Sequence, residues 1–223
     1  MFRPKLEILP PPQRALWGEL GPTPKPFVLY GGTALALRIG HRQSEDFDFF
    51  SSSPFIPDVL LHELPYLENA RVIQVAENPL TCIVERQGRI QISYFGGLDL
   101  CRVEEPDVAP ENGTRIASLT DLAGCKVGVI QQRAETKDYL DLAAILKTGM
   151  SLATALAAGK AVYGSQFNPE ITLRALASFE EGDLKQLDVT VRRELLAAVS
   201  MVKLRRLPLL PSRPGVCREP KRA

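Results

Sequence analysis

Residues 46–50 read Asp46-Phe47-Asp48-Phe49-Phe50, an acid–aromatic alternation that suits an extended strand and not a helix. Side chains on a strand alternate between its faces, so Asp46 and Asp48 share one face while Phe47 and Phe49 enter a core. Two carboxylates fixed side by side repel each other unless a cation bridges them. Upstream, Phe27-Val28-Leu29-Tyr30 is a short apolar strand that ends in Gly31-Gly32-Thr33. Glycines let a backbone come close to phosphate oxygens, and the N–H groups at a helix start attract anions. Thr33 is expected to cap a helix over 34–39, and Gly40 to Ser44 to turn the chain into the acidic strand.

Each signal has a plain alternative. A glycine pair after a strand is often a tight turn, and acids at alternate strand positions are often a solvated face. The flanking phenylalanines argue instead for a central strand carrying a costly pair of charges. Together the motifs suit transfer of a nucleotidyl group, an in-line displacement at an α-phosphate. Asp46 and Asp48 would then hold one or two Mg²⁺ ions, with Mn²⁺ as a substitute in an all-oxygen site. Thr33 and Ser44 are candidate hydroxyl donors to phosphate. Arg42 either pairs with phosphate or fixes the turn before Asp46.

Two later positions carry weaker signals. Lys126 lies among small and apolar residues, where a lysine either snorkels to solvent or places a point charge on a triphosphate. Asp138 falls in the first turn of a helix expected over 137–147, where a carboxylate complements the dipole as a cap. Asp141 is one turn further along the same face. Spacing alone assigns a role to neither.

The rest of the chain reads as α+β: a mixed sheet flanked by helices, then a helical C-terminal half. Residues 1–26 form a proline-punctuated N-terminal extension with one short helix around Arg14 to Trp17. The sheet domain spans 27–118, with a helix over 54–67 and an antiparallel meander of strands over 71–77, 80–86 and 89–95. A further short strand is expected over 114–117. Helices follow over 122–133, 137–147, 152–163, 170–179 and 189–204, within a helical domain spanning 119–206. The proline-rich, basic segment 207–223 is expected to be a disordered tail.

At 223 residues and 45% hydrophobic, the chain can bury a full core. Its net charge of +1 announces neither nucleic acid nor membrane, although a local patch can still bind RNA. No apolar run approaches the roughly 20 residues of a membrane span. Met1 to Lys5 contain no apolar stretch, so a cytoplasmic protein without a signal peptide is expected. Cys82, Cys101, Cys125 and Cys217 are scattered, and only His41 and His62 accompany them, which argues against zinc.

With these residues in view, the chain resembles the AbiEii/AbiGii toxin family of nucleotidyltransferases, a branch of the DNA polymerase β-like superfamily. The likeness runs from about Phe27 to Val202. Tyr30-Gly31-Gly32-Thr33-Ala34-Leu35-Ala36-Leu37 is similar to the first family motif, and Gly40 through Phe50 to the second, metal-binding one. Ala117-Ser118-Leu119-Thr120-Asp121-Leu122 leading to Lys126 resembles the third. Arg133 through Lys137-Asp138-Tyr139-Leu140-Asp141-Leu142 resembles the fourth.

The resemblance implies a catalytic set of Asp46, Asp48, Lys126 and Asp141, with Asp138 the second choice for the fourth-motif acid. It implies that Gly31, Gly32, Thr33, Arg42, Ser44 and Lys126 bind the nucleotide. The implied reaction moves a nucleoside monophosphate from an NTP to the 3′ end of tRNA, and the implied partner is an antitoxin. One departure stands out. Where the wider superfamily often carries a third carboxylate, this chain has Ser93, which cannot bridge metal as an acid does. Either the fourth-motif acid substitutes for that carboxylate, or the chain is a nucleotide- or RNA-binding homologue with weak or no turnover; transfer to a protein hydroxyl is a further alternative. Gly124 and Gly128, poor helix formers, leave the geometry around Lys126 open. Arg192-Arg193 and Lys203-Leu204-Arg205-Arg206 read either as contacts for an RNA backbone or as a solvated helix end.

Overall fold

The computed structural model describes residues 2–217. The chain divides into two compact units. The first gathers residues 2–100, 105–118 and 214–217; the second gathers Cys101–Glu104 and Leu119–Arg213.

The first unit is built on a seven-stranded mixed sheet. Its elements in chain order are α1 (Pro11–Trp17), β1 (Val28–Tyr30), α2 (Gly31–Ile39), β2 (Asp46–Phe50), α3 (Pro57–Glu63), β3 (Arg71–Val75), β4 (Pro79–Glu85) and β5 (Arg89–Phe95). After the short β6 (Cys101–Arg102) come β7 (Asp107–Val108) and β8 (Arg115–Ile116). The sheet order is β3-β4-β5-β2-β1-β8-β7, so the acidic strand β2 lies inside the sheet, as its aromatic alternation predicts. β2 runs antiparallel to β1 and parallel to β5, while β3, β4 and β5 form the expected antiparallel meander.

Phe47 and Phe49 are fully buried, and the ring of Phe49 stacks on Tyr94 at 5.3 Å. Burying side chains of this size stabilises a fold by about 1.5–3 kcal/mol each. The N-terminal helix joins the same core, with Trp17 stacked against Phe47 at 6.4 Å.

Several helix starts differ from the sequence reading, those of α2 and α3 among them. α2 begins at Gly31 with Tyr30 as its cap residue, and Thr33 lies inside the helix, making no cap. α3 begins at Pro57, not Pro54. A proline at the first turn loses no helical hydrogen bond there, and Pro65 ends the run by holding Leu64 extended.

The second unit is helical: α4 (Leu119–Val129), α5 (Thr136–Lys147), α6 (Leu152–Tyr163), α7 (Pro169–Leu176) and α8 (Val189–Ser200). Side chains of Ser151, Asn168 and Asp188 cap α6, α7 and α8 by accepting backbone N–H bonds. Gly124, read from sequence as a weak point of α4, marks a close helix crossing. A Cβ there would stand 2.9 Å from the Ala158 carbonyl carbon of α6. α8 stops at Ser200, four residues short of the predicted end, and a single 3₁₀ turn follows at Leu204–Arg206.

Asp121 of the third motif is buried and accepts bonds from the N–H groups of Val103 (2.6 Å) and Glu104 (3.1 Å). It therefore fastens the 101–104 segment to α4.

The tail expected to be disordered is instead extended and bonded as far as Cys217. Within the helical unit Leu210 packs on Val103, Ala158 and Ala161, and Ser212 Oγ donates to the Ala161 carbonyl at 2.7 Å. Arg213, in the short strand β9 (Arg213–Pro214), donates to the Val103 carbonyl at 3.1 Å. Within the sheet unit the Val216 N–H donates to Ser52 Oγ at 3.0 Å, and Val216 and Cys217 are both buried. These partners lie over 100 positions away in sequence for Arg213 and Val216, out of reach of any local pattern. The remainder of that expectation, 218–223, lies outside the described residues.

Candidate active site

In the sheet unit the two glycines form the floor of the site. Gly31 adopts φ +73°, and a Cβ on it would lie 2.6 Å from Asp48 Oδ2. A Cβ on Gly32 would lie 2.8 Å from Ser44 Oγ and 2.9 Å from Arg42 Nη2. The first motif thus has no side chain where the second motif lays a carboxylate, a hydroxyl and a guanidinium. The register explains the meeting: Tyr30 pairs with Asp48, so β1 turns into α2 beside the acids. Arg42 also donates to the Gln43 carbonyl at 2.9 Å, which steadies the turn into β2.

Asp46 is exposed and Asp48 half-buried, both on the face opposite Phe47 and Phe49. Thr33 departs from its expected place. It is fully buried and its hydroxyl donates to the Asp46 carbonyl, so it serves the strand. Ser93 sits in register with Asp48 on the parallel neighbour β5 and accepts from Thr81 Oγ1 at 3.3 Å. A hydroxyl therefore occupies the strand position beside Asp48 where a third acid would stand.

Among the described residues no group of three or more His, Cys, Asp or Glu is gathered to hold a metal. Asp46 and Asp48 nevertheless fit Mg²⁺, which commonly takes one or two carboxylates, keeps several waters and completes its shell with substrate phosphates. At Gly31 and Gly32 the backbone meets Asp48, Ser44 and Arg42 with no side chain between.

Lys126 and Asp141 belong to the helical unit, where they form a buried ion cluster with two further residues. Lys126 Nζ lies 2.8 Å from Asp138 Oδ1 and 2.6 Å from Asp141 Oδ2. Arg133 Nε donates to Asp138 Oδ2 at 2.8 Å. Both aspartate side chains are 0% exposed and that of Lys126 is 10% exposed, so the lysine does not snorkel. Burial pushes the Asp138 carboxyl up, but the Arg133 hydrogen bond and the Lys126 charge outweigh it, holding the group below the ordinary carboxylate value.

Asp138 is thus no helix cap. It is the residue shared by Lys126 and Arg133, and sequence reasoning undervalued it. Arg133 lies in the turn before α5, so the 133–138 pair follows no helical spacing that a pattern search would notice.

The basic residues near the end of the helical unit divide. Arg192 donates to the Leu187 carbonyl at 2.9 Å and the Leu184 carbonyl at 3.1 Å, and its guanidinium lies over the Phe179 ring. It holds the loop before α8. Lys203, Arg205 and Arg206 are exposed in or beside the 3₁₀ turn that follows α8. Among the described residues no single helix is long and apolar enough to cross a membrane.

Comparison with known proteins bears on the family and the fold. A 118-residue stretch is 34% identical to an uncharacterized protein of Aquifex aeolicus, covering 52% of this chain and 55% of that one. The chain therefore spans about half the length of that relative. Among solved structures, one described as a nucleotidyltransferase from H. pylori superposes with a TM-score of 0.54 at 20% identity, covering 85% of this chain and 90% of the other. MenT4, a nucleotidyltransferase toxin of Mycobacterium tuberculosis, superposes with a TM-score of 0.56 at 13% identity, covering 86% and 83%. At such identities these two establish the fold. The family model of the AbiEii nucleotidyl transferase toxin of type IV toxin–antitoxin systems matches residues 14–208, and the chain belongs to that nucleotidyltransferase family.

Proposed function

We propose that this protein transfers a nucleoside monophosphate from an NTP to the 3′ end of tRNA, as the toxin of a two-component system in the cytoplasm. The observation that carries the reading is the packing of Asp48 against Gly31, with Ser44 and Arg42 over Gly32. It joins a carboxylate pair and a phosphate cradle at one point of the sheet unit.

In this reading the N–H groups at the start of α2, with Arg42 and Ser44, orient the triphosphate. Asp46 and Asp48 hold Mg²⁺. When bound, the ion supplies charge stabilisation to the phosphate undergoing displacement. The attacking hydroxyl bonds to the α-phosphorus as the bond from that phosphorus to the leaving pyrophosphate breaks, and Asp46, the more exposed acid, takes the hydroxyl proton. Within the helical unit Asp141 and Asp138 hold the Lys126 ammonium as a fixed positive charge. The exposed cations at Lys203, Arg205 and Arg206 suit an RNA backbone. A cognate antitoxin is the expected protein partner.

Ser93 favours one other reading, a homologue that binds nucleotide or RNA with little turnover. Incubation with Mg²⁺, NTPs labelled at the α-phosphate, total RNA and a protein extract separates the possibilities. The proposal expects label on tRNA 3′ ends. Label on protein alone would move the acceptor to a protein hydroxyl, and no label beside measurable NTP binding would sink the enzyme reading.

A further inference from the structure

The acid pair stands where the β1 ladder stops. Tyr30 pairs with Asp48, and from Gly31 the chain is already helical, so no β1 residue lies across from Asp46 or Glu45. On the other side Asp46 stays in register with Gln91 of β5, and burying backbone carbonyls without donors would cost free energy.

Two buried side chains donate to backbone carbonyls at the entry of β2. Thr33 Oγ1 donates to the Asp46 carbonyl, and Gln13 Nε2 donates to the Glu45 carbonyl. Gln13 is 2% exposed, and the other buried residues of α1 are Leu16 and Trp17. A glutamine amide set among apolar side chains is costly unless bonded, so its place there is tied to the carbonyl it holds. Trp17, one turn further along α1, stacks on Phe47, the residue between the two acids. α1 therefore grips 45–47 through one polar and one aromatic contact.

We propose that Gln13 and Thr33 are positioning residues for the acid pair, an inference that rests on the metal-dependent reading above. By fixing the backbone at Glu45 and Asp46, they hold the two carboxylates at the separation that binds a divalent cation. Gln13 lies outside the glycine and aspartate motifs and one residue before the family match begins. Groups that orient metal-binding carboxylates typically change metal affinity by about ten- to a hundredfold when removed.

The test uses the full chain with Gln13→Met, which keeps the volume and removes the donor. Mn²⁺ binding is measured by calorimetry without nucleotide turnover, and emission of Trp17, the single tryptophan, reports whether α1 remains packed. The expected result is a Mn²⁺ affinity about tenfold weaker than wild type. In transfer assays kcat falls by a similar factor while KM for NTP stays within about twofold. In an Asp48→Asn background Gln13→Met adds less than about a twofold loss, because both changes act through the same carboxylate pair.

Mn²⁺ affinity within twofold of wild type in a folded Gln13→Met protein overturns the proposal, as does a wild type that binds no Mn²⁺. A wild type that binds Mn²⁺, shows the tenfold difference and transfers nothing overturns only the enzymatic reading. Should Gln13→Met not fold, Thr33→Val puts the same question to the Asp46 carbonyl, with the same expected loss and the same overturning result.

Discussion

The two acidic groups of this molecule are built on opposite plans. In the sheet unit Asp46 is exposed and Asp48 half-buried, on a strand whose other face is fully packed. In the helical unit Asp138 and Asp141 are wholly buried and closed around Lys126, with Arg133 completing the cluster. The first arrangement keeps negative charge where a cation and phosphates can reach it. The second spends its charge internally, fixing a lysine whose ammonium would otherwise be mobile. Removing a charge from the first should therefore damage chemistry and spare the fold. Removing one from the second should damage both.

The largest expected effect is on the closed cluster. Asp138→Ala removes the buried carboxylate that Lys126 and Arg133 share; Lys126 keeps Asp141, so the expected cost is at the low end for a broken buried pair, about 3 kcal/mol. Denaturant unfolding checks it, and a loss under about 1 kcal/mol would break the contrast. Next comes the open pair. Asp46→Asn should lower transfer by more than about a hundredfold, roughly 2.7 kcal/mol of transition-state stabilisation, with unfolding stability changed by no more than about 0.5 kcal/mol. A fall in rate below threefold would remove Asp46 from the site.

Gly31→Ala is expected to sit between the two behaviours. Its positive φ costs an L side chain about 1 kcal/mol, and the new methyl meets Asp48 Oδ2. Activity should drop further than that stability loss accounts for. Parallel kinetic and thermal measurements decide the point, and equal losses would mean that the glycine serves only the turn.

The smallest effect is on pH dependence. Because the Asp138 carboxyl titrates below its ordinary value, its contribution to stability is present above the unfolded value of about 4 and is lost as pH falls through the folded one. Acid unfolding curves of Asp138→Asn should therefore be flatter below about pH 4 than those of wild type. Curves of equal slope would mean that the cluster is not what depresses Asp138.

Much of the sheet unit was legible in the sequence, because its signals are local. The two-residue period of β2 separates core from site in five residues, and turn residues mark the ends of β4 and β5. The helical unit was legible as helices and less so as a site. Lys126 and Asp138 meet through a fold-back over the turn at Arg133, which neither helical nor strand spacing encodes. Gly124 reads as a defect until Ala158, 34 positions later, is seen to need its missing side chain. Gln13 carried no signal, since its partner is a backbone carbonyl 32 residues away. The 207–217 segment was misread for the same reason, its prolines and cations masking distant partners at Val103 and Ser52.

The proposed function makes the open pair the seat of the chemistry. Transfer of α-phosphate label from NTPs to tRNA, measured for wild type and Asp48→Asn at matched thermal stability, tests that most directly. The account predicts labelled 3′ ends with wild type and at least about a hundredfold less with Asp48→Asn. Equal labelling by the two proteins would contradict it.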